Sequence, residues 1–188
     1  MKLDDIGFAH GITGKLFCLS NIFAYSKNEK LLEVIKRGII KENLAIEKRG
    51  IENLKPIWCR GTTGIIYGRS LIASNLNQFL DINTKKQLFF YDKKRIHAEL
   101  TRGTMGGNNM SLCHGIYGNI EIMIKMYKKE KYKKKISKYF NDFEELQWVI
   151  TSEIPMDLFM LGNTGVAYAL LEIVNPQLPS VLALEPVV

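Results

Sequence analysis

Hydrophobic positions along the chain gather into four runs with few charges, residues 16–23, 65–76, 120–126 and 166–174. Each run opens just after a pair of glycines spaced GxxG. The pairs fall in His10-Gly11-Ile12-Thr13-Gly14, Arg60-Gly61-Thr62-Thr63-Gly64, His114-Gly115-Ile116-Tyr117-Gly118 and Leu161-Gly162-Asn163-Thr164-Gly165. Their first glycines are 50, 54 and 47 residues apart, room for two helices and two connections per unit. The apolar runs predict buried helices. Between the first two lies a different pattern, with Leu31, Leu32, Ile35, Ile39 and Ile40 recurring at helical spacing among Glu33, Lys36, Arg37 and Lys41. That spacing predicts a helix wetted on one face. Alternating apolar and half-polar helices predict an all-α fold of concentric inner and outer rings, with the glycine turns gathered at one end of the inner ring. The glycines are expected to allow close backbone approach and a positive φ at the entry to each helix.

Chemistry concentrates in those turns. His10 precedes the first glycine pair, Cys59 lies two residues before Gly61, and Cys113 and His114 stand directly before Gly115, whereas the fourth turn offers only Leu161. If equivalent turns converge, Cys59, Cys113 and His114 make a Cys2His set with one position left open. Such a set suits Zn2+, and three protein ligands with an open fourth site mark a catalytic rather than a structural centre. The competing reading makes both cysteines small buried hydrophobes and His114 a satisfied loop histidine. His10, at a matching position without a cysteine, is a candidate acid/base, since imidazole titrates near neutrality. Cys18 lies among Leu16, Phe17 and Leu19 and is expected to be buried; His97, among Lys93, Lys94, Arg95 and Glu99, is expected to be solvated.

Composition narrows the partners. The 188 residues are 46% hydrophobic and 24% charged, an ordinary globular balance that excludes low-complexity and collagen-like classes. The most apolar stretch, residues 159–174, is too short for a membrane span and contains Glu172, so no transmembrane segment is expected. The start MKLDDIGFAHG lacks the basic and then apolar pattern of an export signal, and three cysteines cannot pair completely, so a reduced, cytoplasmic protein is expected. The net charge of +7 is partly local, with eight lysines and one glutamate in residues 125–138. That segment reads as a solvated helix end and loop rather than a nucleic-acid footprint, and no nucleic-acid partner is expected.

The segments GFAHGITG at 7–14, WCRGTTG at 58–64, SLCHGIYGN at 111–119 and FMLGNTG at 159–165 resemble the lanthionine synthetase C-like cyclases across almost the whole chain. The C-terminal stretch through NPQLPSVLALE further resembles the end of class II, LanM-type lanthipeptide synthetases. The resemblance implies an α/α toroid with central zinc held by Cys59, Cys113 and His114, and a histidine acid/base at His10. It also implies a reaction that adds a peptide cysteine thiol across dehydroalanine or dehydrobutyrine to close a (methyl)lanthionine ring. The partner it implies is a leader-bearing, dehydrated precursor peptide, whose acidic leader the lysines of 125–138 are placed to attract.

The sequence departs from that pattern in three ways. About four of the family's seven helical pairs are visible in residues 1–188, so the toroid is expected to be incomplete. The chain is then the C-terminal part of one cyclase domain without its N-terminal repeats or a dehydratase domain, poorly stable alone unless the missing N-terminal part of a synthetase completes it. An aspartate that family members carry in an earlier repeat has no counterpart. An arginine often found four residues before the WCxG cysteine is Lys55, which keeps the charge and loses the planar fork. A non-catalytic zinc module that captures thiol peptides or glutathione is therefore the alternative. A toroidal glycosidase is disfavoured, because no acid occurs within any of the four turns.

Overall fold

The computed structural model describes residues 6–89, 98–102, 109–127 and 158–185. Its regular elements are helices, so the chain is all-α as the patterning predicts. The chain divides into two compact units, Met1–Glu99 and Leu100–Val188.

In the first unit, α1 (Ile12–Ser26), α2 (Glu29–Arg49), α3 (Thr62–Leu76) and the short α4 (Ile82–Leu88) pack together, with α1 against both α2 and α3. Burial of α1 follows one stripe, Ile12, Leu16, Ser20 and Phe23, and that of α2 another, Ile35, Ile39, Glu42 and Ile46. These stripes meet Ile72, Leu76, Leu80 and Leu88 in one apolar core, and a second core joins Ile6, Ala45, Ile46, Leu54 and Ile65. Two residues expected inside are outside. Cys18 is exposed, because position 18 falls on the face of α1 opposite the 12–16–20–23 stripe, and Ile40 is 49% exposed for the same reason on α2. Local sequence punctuates the helices. The Asn28 side chain caps α2 by accepting from Lys30 N, Asp81 caps α4 by accepting from Thr84 N, and Lys27 closes α1 in the left-handed region at φ 52°.

The second unit holds α5 (Ile116–Met126) and α6 (Asn163–Val174), which pack on one another. Every apolar run thus becomes a helix opening at its glycine turn, and the first glycine of each pair is the N-cap: Gly11, Gly61, Gly115 and Gly162. Their φ values, −111°, −134°, −109° and −111°, are extended, so the expected positive φ is absent. Crowding explains the glycines instead. A Cβ on the second glycine of each pair would come closer than 3.0 Å to the carbonyl oxygen six residues earlier, Phe8 for Gly14, Trp58 for Gly64, Leu112 for Gly118 and Phe159 for Gly165. Most of the lysine-rich segment (128–138), the outer helix expected between the third and fourth turns, and His97 lie outside the described residues. No described helix is long and apolar enough to cross a membrane.

Candidate metal centre

The first turn is folded against the second by backbone. Gly7 adopts φ +116°, and a Cβ there would collide with Cys59 O and Arg60 Cα, so only glycine lets the two segments meet. His10 N then donates to Cys59 O at 3.4 Å. Beneath this contact the Phe8 ring lies 5.6 Å from Trp58, 5.6 Å from Phe17 and 6.3 Å from Tyr67, centroid to centroid. This aromatic packing holds the backbone that carries both candidates. Cys59 is fully buried and the His10 side chain is exposed. On the same turn Thr62 N donates to Lys55 O at 3.0 Å, while Lys55 itself is exposed.

In the second unit, the third turn places Cys113 Sγ 3.9 Å from His114 Nε2. Ser111 shapes this pair, since its Oγ accepts from His114 N at 3.2 Å and donates to Asn109 Oδ1 at 3.0 Å. Cys113 N reaches across to Met160 O in the fourth turn at 3.1 Å, and Gly115 N returns to Ser111 O. Cys113 is buried and His114 exposed, so the thiol is shielded while the imidazole stays accessible. Neither Cys59 nor Cys113 is disulfide-bonded.

Of the three ligands the sequence predicts, Cys59, Cys113 and His114, the second unit brings Cys113 and His114 together, while Cys59 is carried by the first unit beside the His10 turn. The chemistry of this donor set fits zinc. Two thiolates and an imidazole are soft to borderline ligands, poor for calcium or magnesium, and as three protein donors they leave a tetrahedral ion one open position.

Several charged groups escaped sequence reasoning. Glu42 on α2 is fully buried and accepts from Thr13 and from Arg69 on α3. Glu121 on α5 and Glu172 on α6 are fully buried too. Glu121 Oε1 accepts from Ser180 Oγ at 2.6 Å and Leu182 N at 3.1 Å, tying residues 180–182 to the helix. Lys125 Nζ pairs with Glu172 Oε1 at 3.2 Å and donates to the carbonyls of Leu178 and Pro176. Lys125, expected within a solvated run, is thus an internal counter-ion. Burial is the main force raising both carboxyls above their ordinary range; Glu185 adds to it at both, the Glu121 charge adds to it at Glu172, and the Glu172 carboxyl is pushed up to about 8. A charge inside an apolar run (Arg69, Glu121, Glu172) was the available signal for such partners.

Two comparisons bear on this arrangement. The family model described as "Lanthionine synthetase C-like protein" matches residues 2–185. The chain is also similar to the "Lacticin 481/lactococcin biosynthesis protein LcnDR2" of Lactococcus lactis subsp. lactis, with 26% identity over 136 residues, 65% of this chain and 14% of that protein. The chain therefore spans a small part of the length of the relative it matches.

Proposed function

From the premise that this chain belongs to the lanthionine synthetase C-like family, we propose that it carries the zinc-bearing, C-terminal cyclase portion of a class II lanthipeptide synthetase. Its substrate is a dehydrated, leader-bearing precursor peptide, and it works in the cytoplasm, where thiols stay reduced. The reaction joins a cysteine sulfur of the peptide to Cβ of a dehydroalanine or dehydrobutyrine, while the thiol proton is balanced by a proton delivered to Cα. Mass is unchanged and one free thiol disappears.

In this reading Cys59 and Cys113 would hold the ion through Sγ, and His114 would hold it through an imidazole nitrogen. The chemistry the ion would supply when bound is mild Lewis acidity, which favours the thiolate form of a substrate thiol and leaves it nucleophilic. The exposed His10 imidazole holds or moves the proton at a ring nitrogen, and its backbone bond to Cys59 O keeps the two turns together. Buried Cys59 and Cys113 exclude water from the ligand sulfurs.

The observation that carries this reading is the third turn, where Cys113 Sγ and His114 Nε2 come within 3.9 Å in a chain whose family match runs from 2 to 185. The test is zinc content followed by turnover. Purified protein should hold about one equivalent of zinc, as expected of a three-ligand site, and Cys59→Ala should lose it. With a dehydrated precursor peptide, free thiol should vanish without a mass change. Zinc binding with peptide capture and no thiol loss would replace the cyclase reading with a binding module; absence of zinc would overturn both.

A further inference from the structure

Glu42 lies outside the candidate centre, yet its contacts lead to the turn that carries His10. Its carboxylate is fully buried, and Oε1 accepts from Thr13 N at 3.0 Å and from Thr13 Oγ1 at 2.7 Å. Oε2 is 2.7 Å from the same hydroxyl and accepts from Arg69 Nε at 3.3 Å and Nη2 at 2.9 Å. Thr13 is the second residue of α1, so an anion stands where the first-turn amides and the helix dipole favour one. The remaining guanidinium nitrogen of Arg69 donates to Gln87 O, and Asn43 Nδ2 donates to the same carbonyl, anchoring the network in α4.

His10 precedes Thr13 by three residues. Its backbone is therefore fixed on one side by the bond to Cys59 O and on the other by the Glu42 bonds to Thr13. The second turn shows that the fold does not demand this arrangement. Thr63, which corresponds to Thr13, has an Oγ1 with no hydrogen-bond partner among the described residues, and the neighbouring Thr62 hydroxyl donates to Glu99 Oε2. Of these two turns, the one bearing His10 has the full carboxylate clamp.

We propose that Glu42 is a positioning residue that fixes the His10 imidazole for proton delivery, with Arg69 holding the carboxylate in place. This assignment rests on the cyclase reading. In the full chain, Glu42→Gln removes the charge at constant size, and Thr13→Val removes only the hydroxyl. Histidine side-chain NMR, with the His10 signals assigned by their loss in His10→Asn, should show His10 resonances shifted or broadened in both variants. Zinc content should stay within about twofold of the parent, because the three ligands are untouched. Cyclisation should lose about tenfold or more in kcat, with KM within about threefold, as expected when a proton donor is misplaced rather than a substrate released. If Glu42→Gln fails to fold, Thr13→Val alone decides. Unmoved His10 signals in a folded variant overturn the assignment. A parent protein that holds zinc and never cyclises overturns the cyclase reading instead, and the NMR result still decides whether Glu42 orders His10.

Discussion

Each unit of this chain buries carboxylates against helices, and the two solve the resulting problem differently. In the first unit Glu42 receives two donors from Thr13 and two from Arg69, so every lone pair that burial strips of water is met by a directed hydrogen bond. In the second unit Glu121 and Glu172 share one cation, Lys125, which is also committed to the carbonyls of Leu178 and Pro176. There burial outweighs pairing, and a proton stabilises the cluster in place of a second cation. An ion network is thus favourable only where its donors are sufficient in number and fixed in geometry. The first unit should therefore be sensitive to loss of a partner, and the second to pH.

The largest effect is expected at Arg69. Arg69→Ala leaves Glu42 buried without its cation and should cost about 3–5 kcal/mol in the first unit. Denaturant unfolding followed by a probe in that unit checks this, and a cost below about 1 kcal/mol would show that water replaces the guanidinium.

The second unit should respond to pH. Its folded form holds the Glu172 proton more tightly than the unfolded chain, which titrates near the ordinary 4.5, so this stabilisation is whole below that pH and is lost as pH rises through about 8. The groups facing Glu172 set the effect: Lys125 opposes the upward shift, while Glu121 and Glu185 add to it. Between pH 5 and pH 8 the loss should be roughly 3 kcal/mol, and Glu172→Gln should flatten it. Hydrogen exchange at α6 amides measures both, and an equally steep loss in the variant would assign it elsewhere. Ser180→Ala removes one of two donors to Glu121 Oε1 and should cost about 1 kcal/mol, read most directly as faster exchange at the Leu182 amide.

The helix starts, and the positions of the candidate ligands beside them, were readable in the sequence because both are local. A glycine needed for close carbonyl approach is followed at once by the helix it caps, and the Cys or His stands one or two residues before it, so periodicity exposes both. What stayed hidden depends on which face of a helix points inward. Cys18 belongs to an apolar run yet lies on its wet side, whereas Glu42 looks like a surface residue of a charged helix yet falls on the buried 35–39–42–46 stripe. Arg69 could have been flagged as the one charge in its run, but its partner, 27 residues earlier, is fixed only by the packing of α2 and α3 on their shared neighbour α1. Long-range polar pairs of this kind leave no periodic trace.

The smallest expected effect lies in the first unit and has the opposite pH sense. Asp81 caps α4, with Thr84 N on Oδ1 at 2.8 Å, Thr84 Oγ1 on Oδ2 at 2.9 Å, and Lys36 Nζ 3.5 Å away. The Thr84 bonds come first in holding its carboxyl down to about 2, with Lys36 adding to them. The unfolded chain takes up this proton near 3.8, so the cap contributes fully above that pH and is lost as pH falls to about 2. Asp81 is exposed, and water screens much of this contribution. Acidification should therefore accelerate exchange of the Thr84 amide in the parent between pH 4 and pH 2, and less so in Asp81→Asn, which keeps an acceptor oxygen without a titrating charge. If both respond alike, the acid sensitivity of α4 comes from another carboxylate, and only the alkaline limb assigned to Glu172 would distinguish the two units.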